Sequence, residues 1–178
     1  MFFCNEKSKK MLYLIGFMGV GKTTIGKQLA KQHNIDFFDI DLEIEKKTNK
    51  SISTIFKENG EHYFRCLEAK TLQVVQRKSI VSCGGGLPSY NHNMRFMKKS
   101  GVIIYLKASE HEIFIRLSNK LNNRPLIESK NEECLKLFIK KELAKRKPFY
   151  EMANYIIETS NLSEQDVLRE INSLPLSI

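Results

Sequence analysis

The sequence predicts an α/β fold: a short parallel sheet of five strands enclosed in a three-layer α/β/α arrangement. Three observations predict it. Short apolar runs alternate along the chain with longer amphipathic ones, the pattern of strand–helix–strand units with right-handed crossovers. The strands are expected to be short and buried, as a sheet covered on both faces requires. The length, 178 residues, suits one compact domain.

Met11–Gly16 (MLYLIG) is a brief apolar run ending in glycine and reads as the first strand. Lys22–His33 is helical, with Ile25, Leu29 and Ala30 on one face, and Ile35–Ile40 (IDFFDI) is the second strand. Asp41–Thr48 and Ser51–Asn59 read as two short helices, followed by a longer one around Glu61–Arg77. Ser79–Cys83 is a strand that runs into Gly84–Gly86, and Pro88 and Ser89 open a helix to about Lys99. Gly101–Leu106 (GVIIYL) is the clearest buried strand. Ser109 with Glu112 forms an S-x-x-E capping box ahead of a helix towards Ser118. Asn119–Lys130 has no apolar period and reads as a mobile loop. Asn131–Lys147 is helical up to the Pro148 breaker, Tyr155–Ile157 is the last strand, and Ser163 with Asp166 caps a final helix.

Composition narrows the function classes. Hydrophobic residues make up 42% and charged residues 28%, as in a globular domain, and no apolar run approaches the roughly 18 residues of a membrane span. Met1–Lys10 lacks the apolar stretch of a signal peptide, and it contains Glu6 and no Arg, unlike a transit peptide. The expectation is a cytoplasmic protein with an N-terminal extension over 1–10 and a single domain over 11–178. Cys4, Cys66, Cys83 and Cys134 are widely spaced with no C-x-x-C pair, which argues against a disulfide framework or zinc site. The four histidines are scattered and read as surface residues without a Cys or Ser partner. The balance of 29 basic to 20 acidic residues, +9, favours anionic partners. Only 7 of those basic residues are Arg, the side chain with a planar fork for carboxylate or phosphate, so their positions carry more information than the net charge. No helix-turn-helix, aromatic RNA-binding motif or continuous basic tract points to nucleic acid.

Gly16-Phe-Met-Gly-Val-Gly21-Lys22-Thr23 fits G-x-x-x-x-G-K-[ST] completely, between a strand and a helix. Glycines let backbone N–H groups turn inward around a phosphate, and the helix N-terminus adds its positive dipole. Lys22 can neutralise the β/γ-phosphates of a nucleoside triphosphate, and the Thr23 hydroxyl can ligate Mg²⁺. Asp39-Ile40-Asp41 ends the second strand. One carboxylate could hold a magnesium water and the other could orient a substrate hydroxyl or take its proton, while capping of the following helix by Asp41 is the plainer alternative. Glu61, Arg65 and Glu68 lie within helical reach of one another, either as a surface charge ladder or as part of a site. Three glycines, Gly84–Gly86, after a buried strand permit close approach of a ligand or form a tight turn. Arg124 (R-P-L) and Arg146, near Pro148, each alone could be surface charge.

Together these pieces resemble the shikimate kinase family: GFMGVGKTTIG from Gly16, D-I-D from Asp39, G-E-x-x-F-R-x-x-E from Gly60, GGG from Gly84, R-P-L from Arg124 and A-K-R-K-P-F-Y-E-M-A from Ala144. The motifs occur in the family's order over about residues 11–157. The resemblance implies a P-loop kinase fold with a small substrate-binding subdomain at about 40–68 and a lid at about 117–131. It implies transfer of the γ-phosphoryl group of Mg-ATP to the 3-hydroxyl of shikimate, a step in aromatic amino acid biosynthesis, with one Mg²⁺ per subunit and no obligate partner, as a monomer. Asp41 would bind the hydroxyls and act as base, Arg65 and Arg146 would hold the carboxylate, and the Gly84–Gly86 backbone would cover the ring. Arg124 would descend from the lid onto the phosphoryl group, and Asp39 would act on Mg²⁺ through water, beside Thr23. The ATP-binding set would be Gly19, Val20, Gly21, Lys22, Thr23, Thr24, Arg116, Arg124 and Ser160. Arg116 is followed by Leu117, where the family often has an Arg-Thr pair. The alternatives are a kinase for another small hydroxy acid such as gluconate, or a catalytically silent nucleotide-binding module.

Overall fold

A computed structural model describes residues 11–75, 78–119 and 131–176. Five strands, β1 (Met11–Ile15), β2 (Asp36–Asp39), β3 (Ser79–Ser82), β4 (Gly101–Lys107) and β5 (Tyr155–Glu158), form one sheet in the order β2-β3-β1-β4-β5. Every pairing in it is parallel. Alternation along the strands divides the core into two layers. Leu12, Leu14, Ile80, Ile104 and Leu106 face α1 (Lys22–His33), α5 (Glu110–Ser118), α6 (Glu132–Tyr150) and α7 (Glu164–Ser173). Tyr13, Ile15, Val81, Ile103 and Tyr105 face α2 (Ile40–Thr48), α3 (Ile52–Gln73) and α4 (Asn93–Ser100). The expected three-layer α/β/α architecture is the one observed. Among the described residues no helix is long and apolar enough to cross a membrane.

Several elements differ from expectation for local reasons. The edge strands are not fully buried: β2 is exposed at Asp36 and half-buried at Phe37 and Phe38, and β5 is exposed at Ile156 and Glu158, because neither has a neighbour on its outer side. The two helices expected on either side of Gly60 join as α3, bent at Gly60, whose φ of 79° only glycine adopts readily. Pro88 does not open a long helix. It sits in a single 3₁₀ turn, Leu87–Ser89, and positive φ at Asn91 and His92 interrupts the chain before α4 begins at Asn93. Pro148 does not end α6, which continues to Tyr150. A proline in the last turn forfeits one helical hydrogen bond, and the Glu151 N–H still reaches the Lys147 carbonyl at 2.9 Å. At α5 only half of the capping box forms: the Ser109 side chain accepts from the Glu112 N–H, but the Glu112 carboxylate turns to Arg116. At α7 the Ser163–Asp166 box is complete. The expected N-terminal extension and residues 120–130 of the expected lid lie outside the described residues.

Candidate active site

The carboxyl ends of β1 and β3 lie side by side, with Leu14 opposite Ser82 and the Cys83 N–H donating to the Leu14 carbonyl at 3.0 Å. The glycine-rich loop after β1 and the Gly84–Gly86 loop after β3 therefore face one another, at the end of a parallel sheet where ligands bind. A cleft of about 730 Å³ opens there, walled by both loops, α2, α3 and α6.

The loop after β1 is shaped for a phosphate. Gly19 and Gly21 have φ of 85° and 96°, so the chain turns into α1 without a side-chain cap, leaving the first N–H groups of the helix for an oxyanion. Lys22, 9% exposed, folds back so that Nζ donates to the carbonyls of Gly16 (2.9 Å) and Phe17 (2.8 Å), which holds the ammonium over the loop. Thr23 Oγ1 donates to Asp39 Oδ2 at 2.8 Å, with Ser82 Oγ 3.5 Å from the same hydroxyl. Asp39, not Asp41, caps α2: its Oδ1 accepts from the N–H groups of Asp41 (3.1 Å) and Leu42 (3.3 Å). Asp39 ends β2 in extended geometry, the conformation an N-cap needs, and this leaves the Asp41 side chain for the cleft wall. Among the described residues no three His, Cys, Asp or Glu side chains could hold a metal alone. One hydroxyl and one carboxylate beside a phosphate loop is nevertheless the protein share of a Mg²⁺ site that draws its other oxygens from phosphates and water. The donor set fits that ion.

The three glycines after β3 each back onto a different charged side chain. A Cβ on Gly84 would overlap Glu68 Oε1 and come within 2.8 Å of Asp41 Oδ1. On Gly85 it would meet Arg146 Nη1 at 3.2 Å, and on Gly86 it would land on the Arg65 guanidinium. Close approach is thus required first by the protein's own charges. Arg65 donates to Glu61 from Nε and Nη2 (3.2 and 2.9 Å) and to Glu68 from Nη1 (2.7 Å). Arg146 donates to Glu142 from Nη2 (2.6 Å), and its guanidinium lies 5.2 Å from the centre of the Phe17 ring. Both arginines and Asp41 line the cleft. Burial pushes the Glu68 carboxyl up to about 7, the Arg65 guanidinium opposes that, and the Asp41 carboxylate adds to it. Among the described residues Glu68 Oε1 finds no hydrogen-bond donor. Two arginine forks and two acidic groups around one cavity can fix a small carboxylate and hydrogen-bond neighbouring hydroxyls.

The other expected residues divide. Gly19, Gly21, Lys22, Thr23 and Thr24 line the cleft, whereas the Val20 side chain is in the core and only its backbone belongs to the loop. The Arg116 Cβ lies 3.9 Å from where a Gly19 Cβ would be, and its guanidinium joins Glu112 (2.8 Å) to the Thr159 carbonyl (3.1 Å), so Arg116 sits where the phosphate loop meets the loop after β5. The Ser160 hydroxyl is engaged locally, accepting from the Ser109 N–H and donating to Glu158, each at 2.9 Å. Arg124 lies outside the described residues.

Sequence reading missed Glu142, Phe17, Ser82 and Tyr150. The signal was present for Glu142 and Tyr150, which are spaced four residues on either side of Arg146 on one helix face. It was absent for Phe17, whose contact crosses elements. His62, expected to be isolated, has Nε2 3.8 Å from Cys66 Sγ and Nδ1 2.6 Å from the Tyr90 hydroxyl. For Gly84→Ala we expect kcat/KM to fall about 100-fold, the scale of displacing reacting groups by an ångström, as its Cβ pushes Glu68 and Asp41 apart. Steady-state kinetics beside a melting curve checks this; unchanged kinetics would mean the two carboxyl groups need not sit so close.

The chain matches the family described as "Shikimate kinase" over residues 18–174. It is 42% identical over 164 residues to a shikimate kinase of Thermodesulfovibrio yellowstonii, covering 91% of this chain and 92% of that one. Its structure is similar to that of a shikimate kinase from Bacteroides thetaiotaomicron, with a TM-score of 0.86 and 34% identity over 92% of this chain and 96% of the other. It is also similar to a shikimate kinase from Acinetobacter baumannii solved in complex with shikimate, with a TM-score of 0.83 and 34% identity over 92% and 90% of the two chains.

Proposed function

The chain belongs to the shikimate kinase family, and from that premise we propose that it transfers the γ-phosphoryl group of ATP to the 3-hydroxyl of shikimate, giving shikimate 3-phosphate and ADP on the route to the aromatic amino acids. The observation that carries this reading is the pairing of the phosphate loop with Arg65, Arg146 and Asp41 around one cleft. The triphosphate lies along the loop after β1, with Gly19–Thr24 around its phosphates and Arg116 and Ser160 at the adenine end. Lys22 neutralises charge on the β- and γ-phosphates, a contribution that grows as the transferring group spreads charge over its oxygens. Thr23 and, through water, Asp39 would hold Mg²⁺, which would supply positive charge against the repulsion between the phosphates and the attacking hydroxyl.

The acceptor enters the opposite end. Arg65 and Arg146 clamp its carboxylate, the Gly84–Gly86 backbone lies against the ring, and Asp41 orients the 3-hydroxyl towards the phosphoryl group and takes its proton. Arg124 comes down from a lid over residues 117–131 onto the phosphoryl oxygens and excludes water, which would otherwise accept the group. The segment 40–68 acts as a substrate-binding subdomain. We place the protein in the cytoplasm as a monomer.

A coupled assay of ADP release with shikimate, gluconate or AMP as acceptor tests the reading: turnover with shikimate is expected, and turnover with only one of the others overturns it. Arg65→Lys should raise the shikimate KM by roughly 10- to 100-fold with a smaller change in kcat, since a point charge cannot serve Glu61, Glu68 and a substrate carboxylate at once. An unchanged shikimate KM would contradict the clamp.

A further inference from the structure

Helix α6 contributes Phe138, Glu142 and Arg146 to the cleft wall. Glu142 lies one turn before Arg146, and its Oε2 accepts from Arg146 Nη2 at 2.6 Å. Its Oε1 accepts from Lys145 Nζ at 2.9 Å, so both oxygens of this carboxylate are held by cations. The Arg146 side chain is about 90% buried, and its guanidinium rests against Phe17. Its remaining terminal nitrogen, Nη1, stands against Gly85, 3.2 Å from where a Cβ would be. One turn after Arg146, the Tyr150 hydroxyl donates to the Gly85 carbonyl at 2.5 Å. One face of α6 therefore fixes one side of the Arg146 fork and the loop that the other side faces, with the Tyr150 hydroxyl also interacting with Arg146.

We propose that Glu142 is a positioning residue for acceptor binding: it holds Arg146 Nη2 so that the other edge of the guanidinium is presented to the acceptor's carboxylate. The proposal rests on the reading above, in which Arg146 takes that carboxylate. An arginine on an unrestrained stem samples many rotamers, and each must be abandoned when a fork-to-fork pair forms. A carboxylate four residues earlier on the helix removes that freedom before the ligand arrives. Because Lys145 also neutralises Glu142, the carboxylate adds little repulsion to an incoming anion. The opposite behaviour, Glu142 as a rival anion that must be displaced, predicts the opposite change in affinity.

The test compares the wild type with Glu142→Leu and Glu142→Gln, using shikimate and its uncharged methyl ester, by steady-state kinetics and by calorimetric Kd. Glu142→Leu is expected to raise the shikimate KM and Kd about tenfold, the scale of losing a charge-assisted pair that orders a binding group. Its kcat and ATP KM should stay within about twofold of wild type, and its methyl ester Kd should be unchanged. Glu142→Gln keeps an oxygen for Nη2 and should recover most of the loss. Should Leu at 142 fail to fold, Glu142→Ala carries the same expectation. A shikimate Kd that is unchanged or tighter, or an equal loss for both ligands, overturns the role of Glu142 alone. A wild type that does not turn over shikimate overturns the reading beneath it.

Discussion

Lys22→Ala is expected to reduce phosphoryl transfer by roughly 10³-fold or more, the upper range for removing one preorganised charge from a transition state. The structure explains why no neighbour can substitute. The ammonium is anchored by the Gly16 and Phe17 carbonyls within a loop whose other donors are backbone N–H groups. Alanine removes one donor from those carbonyls and leaves the rest of the loop in place, so the melting temperature should fall by only a few degrees, about what 1 kcal/mol costs a domain of this size. Lys22→Arg should not rescue: the planar fork is too large for a position buried to 9% exposure between two carbonyls. Near-wild-type kcat in Lys22→Ala would place the phosphates elsewhere.

Asp41→Asn should lower kcat by about 10²- to 10⁴-fold, the range for loss of a positioned general base, with a smaller effect on the shikimate KM. The same substitution has a second readout. Part of what pushes the Glu68 carboxyl up to about 7 is the Asp41 carboxylate, after burial and against the pull of Arg65. Removing that charge should let Glu68 ionise at lower pH, which a carboxyl-resolved NMR titration would detect. A fall in kcat without a change in Glu68 would mean the two groups do not sense one another across Gly84, contrary to their convergence there.

Much of the site was legible because its chemistry is local in sequence. The phosphate loop needs consecutive glycines, Lys22 and Thr23 between a strand and a helix, and each appears in order. The three glycines after β3 announced a close approach, though not that Glu68, Arg146 and Arg65 would make it. Pairings that cross elements were not legible. Nothing in the order D-I-D says which carboxylate caps the helix; the extended geometry at the end of β2 gives that task to Asp39 and turns Asp41 to the cleft. Pro148 read as a helix end because proline lacks an N–H and crowds the carbonyl four residues back, but two residues from the end of α6 that forfeits one bond and the helix runs on to Tyr150. The two edge strands are partly exposed because exposure depends on strand order, which no single segment encodes. Glu142 was not singled out, although its spacing of four residues from Arg146 on one helix is visible in the sequence.

A crystal structure of the protein with ADP, Mg²⁺ and shikimate offered together addresses the central claim most directly. The account predicts the shikimate carboxylate bonded to both Arg65 and Arg146, the ring against Gly84–Gly86, and the 3-hydroxyl beside Asp41 and facing the phosphate loop. A complex in which the carboxylate avoids these two arginines, or in which a different hydroxyl faces Lys22, would contradict it.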